Sequence, residues 1–293
     1  MAMPRGFPRI WSHRTLFDTF ASIAIWTWQR RGQAKSMGLA FHEETITESI
    51  LLDLQTAEPN KIKVVPFSKR EEARTGADWE WCFFDRDRNF SFPIRVQAKL
   101  LDDRGLTYSH IDRCIGNSGV RQIDQLLISG IPAIYVFYNH LNNSAKVPAT
   151  CKTLAGCNEM WGCSFALADA VLPLARGKTF DQISRVSRPW SCLVCCGTVV
   201  CGHCGRMPHE DYDCDPFGVS RMLQSLRRVS EDALSEMNIS DYSLREIPEP
   251  TKQSPSYFEL AMAREITDRD RLRLGSENPG LAGTVLIGQI WDK

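Results

Sequence analysis

The hydrophobic positions of the first sixty residues recur at the spacing of an α-helix. Residues 14–35 carry one apolar stripe, made of Leu16, Phe17, Phe20, Ile23, Ala24, Trp26 and Trp28. Residues 42–56 carry a second one, made of Ile46, Ile50, Leu51 and Leu54. Side chains three or four positions apart lie on one side of a helix. The pattern therefore predicts two amphipathic helices, which Gly38 ends or separates.

After residue 60 the pattern becomes typical of β-strands. Residues 61–67 (KIKVVPF) form a short run whose Pro66 indicates a sheet edge or a strand end. Two richer runs follow, at 79–84 (WEWCFF) and 92–101 (FPIRVQAKLL), with a charged turn between them. β-Branched and aromatic side chains favour strands. We therefore predict three strands in succession.

The next segment returns to helical spacing and then to a strand. Residues 120–129 place Val120, Ile123, Leu126 and Leu127 on one side, and Gly130 and Pro132 follow. Residues 133–138 (AIYVFY) are continuously apolar, which is typical of a strand buried on both faces. A strand–helix–strand unit predicts a parallel pair with a right-handed crossover. The expected fold class is α/β, with a mixed sheet built in the order αβββαβ and flanked by helices.

The remainder of the chain predicts fewer elements. We expect a short helix at 163–174, a helix within 216–237, a charged helix at 258–273 and a last strand at 283–291. The predicted organisation has three parts. Residues 1–36 form a basic arm and helix, residues 37–145 the α/β core, and residues 146–293 a C-terminal region with a cysteine-rich stretch at 190–214.

Composition narrows the class of protein without naming an activity. The 293 residues are 43% hydrophobic and 24% charged, with a net charge of zero, as in ordinary globular proteins. Bases outnumber acids before residue 42, which permits binding of a polyanion there. No run reaches the roughly 18 apolar residues of a membrane span, and no signal peptide is predicted. We expect a cytoplasmic protein with no membrane contact, whose eleven cysteines are thiols or metal ligands.

The chemistry concentrates between Gly76 and Leu101. Asp78 stands at the head of one predicted strand, and Gln97 and Lys99 lie within the next. Because side chains alternate along a strand, Gln97 and Lys99 share one face, and Val96, Ala98 and Leu100 lie on the other. Glu44 and Glu48 share a face of the preceding predicted helix. The alternative is that Asp78 caps a turn while the polar pair faces solvent on an edge strand, but the strand is too apolar for a comfortable edge.

This order of residues resembles the PD-(D/E)XK nuclease superfamily over about residues 40–140. The narrower resemblance is to the Mrr-like variant, in which glutamine replaces the first acid of the (D/E)XK pair, and to an uncharacterised bacterial family with the same core. The resemblance implies a restriction-endonuclease-like fold and a nuclease that uses Mg²⁺ or Mn²⁺. It also implies nucleic acid, chiefly DNA, as the partner, a role in restriction or defence, and activity as a homodimer.

The resemblance also implies a role for each residue. Asp78 is the principal metal ligand. Gln97 offers its amide oxygen or positions a water, and the carbonyl of Ala98 completes the set. Lys99 holds the water nucleophile or stabilises the phosphate, and Glu44 or Glu48 approaches from the helix. Two further residues are expected near the site: Gln122 on the following helix, and Glu80 as a second strand carboxylate. Because Gln97 lowers the negative charge of the site, the alternative function is an inactive nuclease-like module that binds nucleic acid or protein.

The cysteine-rich stretch contains two C-x-x-C pairs, made of Cys192, Cys195, Cys201 and Cys204. Such pairs can bind Zn²⁺ through four thiolates. Only five residues separate the pairs, fewer than in most zinc ribbons. We therefore hold two interpretations open: a structural zinc site that stabilises the C-terminal half, and a buried apolar strand from 192 to 201 whose cysteines act as small hydrophobes.

Overall fold

The structure is a computed structural model of the chain. It describes residues 15–67, 77–85, 87–102, 104–114, 119–142, 147–148, 157–174, 178–194, 219–237, 246–278, 281–288 and 290. Both predicted N-terminal helices are present, α1 at Leu16–Ser36 and α2 at Glu43–Ala57. Thr15 and Asp18 form a capping box at the start of α1, which satisfies backbone N–H groups that a helix leaves without partners.

One mixed β-sheet organises the fold, and helices cover it. Its strands follow the order β1-β8-β2-β3-β5-β6-β7, and β4 pairs with β3 outside this path. The bounds are β1 Ile62–Pro66, β2 Trp79–Phe84, β3 Ser91–Asp102, β4 Thr107–Tyr108, β5 Ala133–Tyr138, β6 Cys163–Leu167, β7 Arg188–Pro189 and β8 Gly283–Ile287. The first strand lies at the edge of the sheet, as its proline predicts.

The predicted strand–helix–strand unit is present. β3 leads through α3 (Gln122–Ile128) into β5, which runs parallel to β3 with Gln97 opposite Tyr135. All six residues of β5 are buried, as expected of a strand covered on both faces. The prediction of a mixed α/β sheet flanked by helices is therefore confirmed.

The region after residue 145 contributes three strands to the same sheet. β6 pairs with β5, β7 pairs with β6, and β8 lies between β1 and β2. The prediction of a helix over residues 163–174 was wrong for its first half. Cys163–Leu167 is strand β6, all of it buried, and helix α4 covers only Ala168–Val171. A short apolar run carries no periodicity that separates a buried strand from a buried helix.

Aromatic side chains fix the helices to the two faces of the sheet. Phe20 of α1 packs against Trp190 at 4.7 Å and against Trp81 of β2 at 6.1 Å between ring centroids. On the opposite face, Phe84 meets Phe258 at 5.2 Å. Each such ring buries a large apolar area, so these contacts contribute much of the hydrophobic stabilisation.

Gly162 lets the chain pass unusually close to α1. A Cβ atom at this position would lie 2.0 Å from the carbonyl oxygen of Ala24 and 2.7 Å from the backbone nitrogen of Trp28. Glycine is the only residue that fits such a backbone-to-backbone contact. The close approach positions β6 beside β5, because β6 begins at the next residue.

The C-terminal elements complete the cover of the sheet. They are α5 Phe180–Arg185, α6 Val219–Met237, α7 Phe258–Met262 and α8 Asp268–Glu277. The single charged helix predicted for residues 258–273 is therefore two helices, α7 and α8. Among the described residues, no helix has the length and apolarity needed to cross a membrane.

Candidate functional site

The site forms where β3 continues beyond the end of β2. The two strands are antiparallel, and their last register pair is Trp79 with Val96. Asp78 still donates its backbone N–H to the Val96 carbonyl, at 2.9 Å. Past this point β3 runs on to Asp102. Backbone groups of alternate residues point to the same side of a strand, so the N–H groups of Ala98 and Leu100 face the side that β2 has left.

Two carboxylates take the place of the missing strand. Asp78 Oδ2 accepts the N–H of Ala98 at 3.0 Å, and Glu43 Oε2 accepts the N–H of Leu100 at 2.9 Å. A buried N–H without a partner costs about 1–3 kcal/mol, so these bonds stabilise the open edge. A strand rises about 3.3 Å per residue, so the two N–H groups lie about 7 Å apart. The edge of β3 thus fixes two carboxylates close to each other.

A chain of side-chain hydrogen bonds extends from Asp78 to Lys99. Gln97 Nε2 donates to Asp78 Oδ2 at 2.6 Å and lies 3.2 Å from the carbonyl oxygen of Ala98. Gln122 Nε2 of α3 donates to Gln97 Oε1 at 2.7 Å. Lys99 Nζ donates to Gln122 Oε1 at 3.0 Å. Strand alternation therefore places Gln97 and Lys99 on one face, and α3 supplies the residue that joins them.

Lys99 is a buried cation, with 5% of its surface exposed. Burial lowers the pKa of its ammonium group, and the negative charges of Glu43 and Asp78 act in the opposite direction. Burying an unpaired charge is costly, and a nearby opposite charge or a hydrogen bond offsets part of the cost. Lys99 has both kinds of support, which lets this strand hold an ammonium group inside the protein.

Glu43 is the carboxylate with the most altered acidity in the site. Its pKa is raised to about 7. Burial is the main cause, the charge of Lys99 acts in the opposite direction, and the charge of Asp78 adds to the effect of burial. Its bond from the Leu100 N–H favours the ionised form. Glu43 therefore changes its charge near neutral pH, a property common among groups at functional sites.

A cleft of about 580 Å³ opens beside the two carboxylates. Its charged lining residues are Glu43, Glu44, Glu48, Asp78 and Arg271. Apolar side chains form much of the remaining wall, among them Leu51, Phe67 and Trp79. Four acids against one base would repel an anionic ligand unless cations balanced the charge.

The structure brings together four of the residues singled out in the sequence: Asp78, Gln97, Lys99 and Gln122. Glu44 and Glu48 line the cleft, but the helix carboxylate that bonds to β3 is Glu43. Sequence reasoning missed Glu43 because it considered only acids four residues apart. A signal was available: Glu43 is the first residue of α2, where a carboxylate is favoured and its side chain points back past the helix end.

Glu80 lies outside this constellation. Its carboxylate accepts a hydrogen bond from the hydroxyl of Tyr257, and Arg95 Nε lies 3.8 Å away. The residue is buried, at 3% exposure. The prediction of Glu80 as a second carboxylate of the site was therefore wrong, because the C-terminal segment and Arg95 surround it.

The oxygen atoms at the edge of β3 are the donors that a hard cation prefers. Mg²⁺ and Mn²⁺ bind carboxylate, carbonyl and amide oxygens, and the edge offers Asp78, Glu43, the Ala98 carbonyl and the amide of Gln97. No cluster of three His, Cys, Asp or Glu side chains occurs within the described ranges. A cation here would therefore need the amide or backbone oxygens in addition to the two carboxylates. The donor set fits Mg²⁺ or Mn²⁺ on these terms.

Most of the cysteine-rich stretch falls outside the described residues. Cys195, Cys201 and Cys204 belong to that part, so the zinc site remains a prediction. Cys192 lies in a 3₁₀-helix, Trp190–Val194, rather than in the strand that the second interpretation expected. The prediction of a strand is therefore wrong for residues 192–194. Trp190, the first residue of this 3₁₀-helix, holds it in place by donating its indole N–H to the Phe20 carbonyl at 2.6 Å.

Comparison with known proteins gives a family and no activity. The sequence profile of a group described as "Family of unknown function (DUF6615)" matches residues 16–282. This match spans α1 to the residue before β8 and includes every residue of the site. No curated protein matches the chain.

Proposed function

This chain belongs to the DUF6615 family of unknown function, and we propose that it is a metal-dependent nuclease that hydrolyses phosphodiester bonds at the open edge of β3. The observation that carries the proposal is the convergence of Asp78, Gln97 and Lys99 with a helix carboxylate beside a cleft. These residue types, in this chain order, resemble the PD-(D/E)XK superfamily in its Mrr-like, glutamine-containing form.

The fold is consistent with a restriction-endonuclease-like core. The superfamily resemblance rests on the order αβββαβ, and the chain has α2, β1, β2, β3, α3 and β5 in this order, with the two-residue strand β4 between β3 and α3. The β3–α3–β5 unit is parallel, and it carries Gln97, Lys99 and Gln122 on neighbouring elements. We propose this fold assignment as part of the functional hypothesis.

The residues that would hold a divalent cation are Asp78 and Glu43, with the carbonyl of Ala98 and the amide oxygen of Gln97. A bound Mg²⁺ supplies positive charge to phosphate oxygens and lowers the pKa of a coordinated water. The acidic lining of the cleft agrees with such a need, because phosphate would otherwise meet an excess of negative charge.

Lys99 would act on the substrate directly. Its ammonium group is a compact point charge with three donors, suited to a phosphate oxygen or to the attacking water. Because burial lowers the pKa of Lys99, its neutral form, which can accept a proton, is more accessible than that of an exposed lysine. In either form the residue must leave or share its bond to Gln122 to reach a ligand.

The proposed substrate is DNA, and the proposed biological setting is restriction or defence. Both come from the resemblance to Mrr-like nucleases. A cleft with apolar walls beside the carboxylates can also accept a nucleobase. Single-stranded DNA and RNA therefore belong among the substrates tested.

Cleavage of nucleic acid by purified protein tests the proposal. Supercoiled plasmid, linear duplex, single-stranded DNA and RNA are incubated with Mg²⁺ or Mn²⁺, and with a chelator as the negative control. We expect Lys99→Met and Asp78→Asn to reduce the cleavage rate at least about 100-fold, since each removes a charge that the reaction uses. Lys252→Met and Asp85→Asn are the matched controls, because they make the same changes of charge away from the site.

Stability measurements distinguish a catalytic loss from misfolding. Lys99→Met removes the cost of burying an ion but leaves Gln122 Oε1 without its donor, so the free energy of unfolding of each variant is measured by urea denaturation and cleavage rates are compared where both proteins are folded. If the wild-type protein cleaves none of the substrates with either metal, and Lys99→Met changes nothing, the nuclease proposal is wrong.

One observation favours the alternative, a non-catalytic binding module. The polar side chains of the site hydrogen-bond to one another and to the β3 backbone, and Gln97 turns its NH₂ group, not its oxygen, toward Asp78. Under the alternative, this network stabilises the β3 edge and takes no part in catalysis. Under this alternative the protein would retain nucleic acid or a protein partner in a gel-shift or pull-down assay without cutting, and Asp78→Asn would change stability but not retention.

A further inference from the structure

Gln122 connects the carboxylate end of the site to its ammonium end. Lys99 can only donate hydrogen bonds, and an ionised Asp78 can only accept them. Between these fixed ends, three good bonds form only when each glutamine turns its oxygen toward Lys99 and its NH₂ toward Asp78. The structure has this arrangement, with Lys99 to Gln122 at 3.0 Å, Gln122 to Gln97 at 2.7 Å and Gln97 to Asp78 at 2.6 Å.

This direction conflicts with cation binding through Gln97. Its NH₂ group faces Asp78 Oδ2 and the Ala98 carbonyl, the oxygens that the proposed metal site needs. For Gln97 to offer its own oxygen, its amide must turn over, and its NH₂ then faces the NH₂ of Gln122. Two donors repel, so Gln122 must turn over as well. Lys99 then faces a donor instead of an acceptor.

We propose that Gln122 is a positioning residue that couples cation binding to the release of Lys99. In the cation-free protein it holds Lys99 and keeps the oxygen of Gln97 away from Asp78. When Gln97 turns its oxygen toward a cation, Gln122 turns with it and Lys99 loses its partner. The inference rests on the proposed function and adds an order of events to it.

The burial of Gln97 and Lys99 strengthens the coupling. Gln97 is 2% exposed and Lys99 5%, while Gln122 and Asp78 are half-buried, so water has little access to a bond broken at Gln97 or Lys99. A donor or acceptor that loses its partner must find another within the protein. Lys99 has two candidates nearby, since Glu43 and Asp78 both act on its charge. Its release is therefore a change of partner within the site.

Substitution of Gln122 by glutamate tests the coupling. A carboxylate accepts from both Lys99 and Gln97, so Gln97 can keep its oxygen toward the cation without loss of any bond. We expect Gln122→Glu to bind Mn²⁺ about 10-fold more tightly than Gln125→Glu, since it avoids breaking one charge-assisted hydrogen bond. Gln125→Glu is the matched control, because it adds the same charge to the same helix. Calorimetric titration of the full-length proteins with Mn²⁺ gives the affinities.

The wild-type protein provides a second measurement that needs no variant. During titration with Mg²⁺, the side-chain amide signals of Gln97 and Gln122 in ¹⁵N-edited NMR spectra should move with one common midpoint. Equal Mn²⁺ affinity of the two glutamate variants, or a fixed Gln122 signal while Gln97 moves, would overturn the coupling and leave the metal site intact. Absence of Mn²⁺ and Mg²⁺ binding in all the proteins would overturn both the coupling and the metal-dependent function.

Discussion

Two carboxylates at the start of β2, separated by one residue, have different surroundings: Glu80 is buried and Asp78 is half-buried. Glu80 pairs with Arg95 and Tyr257 inside the sheet, where β8 and β3 flank it. Asp78 precedes the strand, where its carboxylate accepts from the β3 edge and from Gln97, and it lines the cleft. Both residues are acidic, and both lie at the same end of β2. The end of the β2 ladder separates a carboxylate that only stabilises the fold from one that can meet a ligand.

The neighbouring residues on β3 repeat this contrast. Arg95 lies opposite Glu80 in the register and brings a positive charge within 3.8 Å of its carboxylate. Burial raises the pKa of Glu80, and the charge of Arg95 acts in the opposite direction. Gln97, two residues further, contacts Asp78 with an amide, which adds no opposite charge. A charged partner suits a carboxylate that stays buried, and a neutral partner suits a carboxylate that must attract a cation. The charge of the partner residue therefore distinguishes the structural carboxylate, Glu80, from the candidate ligand, Asp78.

Removal of the Glu80 carboxylate should give the largest change in stability. Glu80→Ala leaves Arg95 buried without its partner and removes the acceptor of Tyr257, so we expect a loss of about 3–5 kcal/mol in the free energy of unfolding. Urea denaturation measures it, and Glu259→Ala on the exposed side of α7 is the control. A loss below about 1 kcal/mol would contradict the structural role of Glu80 and, with it, the contrast between Glu80 and Asp78.

The pH dependence of stability should be the next largest effect. The Glu43 carboxyl ionises at pH 4.5 in an unfolded chain and at about 7 in the folded protein. Between these values the folded state holds a proton that the unfolded state has lost, so stability falls as the pH rises through this window. We expect a decrease of about 2 kcal/mol in chelator-treated protein, discounted for partial exposure.

Glu43→Gln should remove most of this slope, because the amide oxygen can still accept the Leu100 N–H but does not titrate. Urea denaturation at several pH values between 5 and 8 provides the measurement. A wild-type slope equal to that of the variant would show that Glu43 ionises normally and that its burial does not govern its charge.

The smallest effect is expected for Glu48, one of the two helix acids that the sequence pattern singled out. Glu48 is exposed at the cleft wall, so Glu48→Gln should change stability by less than about 0.5 kcal/mol and the cleavage rate by only a few fold. Side-by-side assays with Glu43→Gln compare the two. Equal or greater loss of activity with Glu48→Gln would transfer the role of the helix carboxylate from Glu43 to Glu48.

Much of the fold was predictable because its signals are local. The stripes of α1 and α2, the alternation of β3 and the apolar run of β5 each follow from neighbouring residues. The prediction for residues 163–167 was wrong because a short, mostly apolar run of five residues fits a strand and a helix equally well. Within the site, strand alternation predicted that Gln97 and Lys99 share a face, and the parallel β3–α3–β5 unit made Gln122 a plausible neighbour. Glu43 was missed because its role depends on where the N-terminus of α2 meets β3.

The sequence alone determined the strands β1, β2, β3 and β5 and the face shared by Gln97 and Lys99, because period and alternation are properties of a few adjacent residues. Only the tertiary structure decided that β8 enters the sheet beside β2, that Tyr257 and Arg95 enclose Glu80, and that β3 extends beyond the end of β2. Those facts depend on contacts between residues up to two hundred positions apart, which no local pattern encodes. They make Asp78 and Glu43, rather than Glu80 and Glu48, the carboxylates of the candidate site.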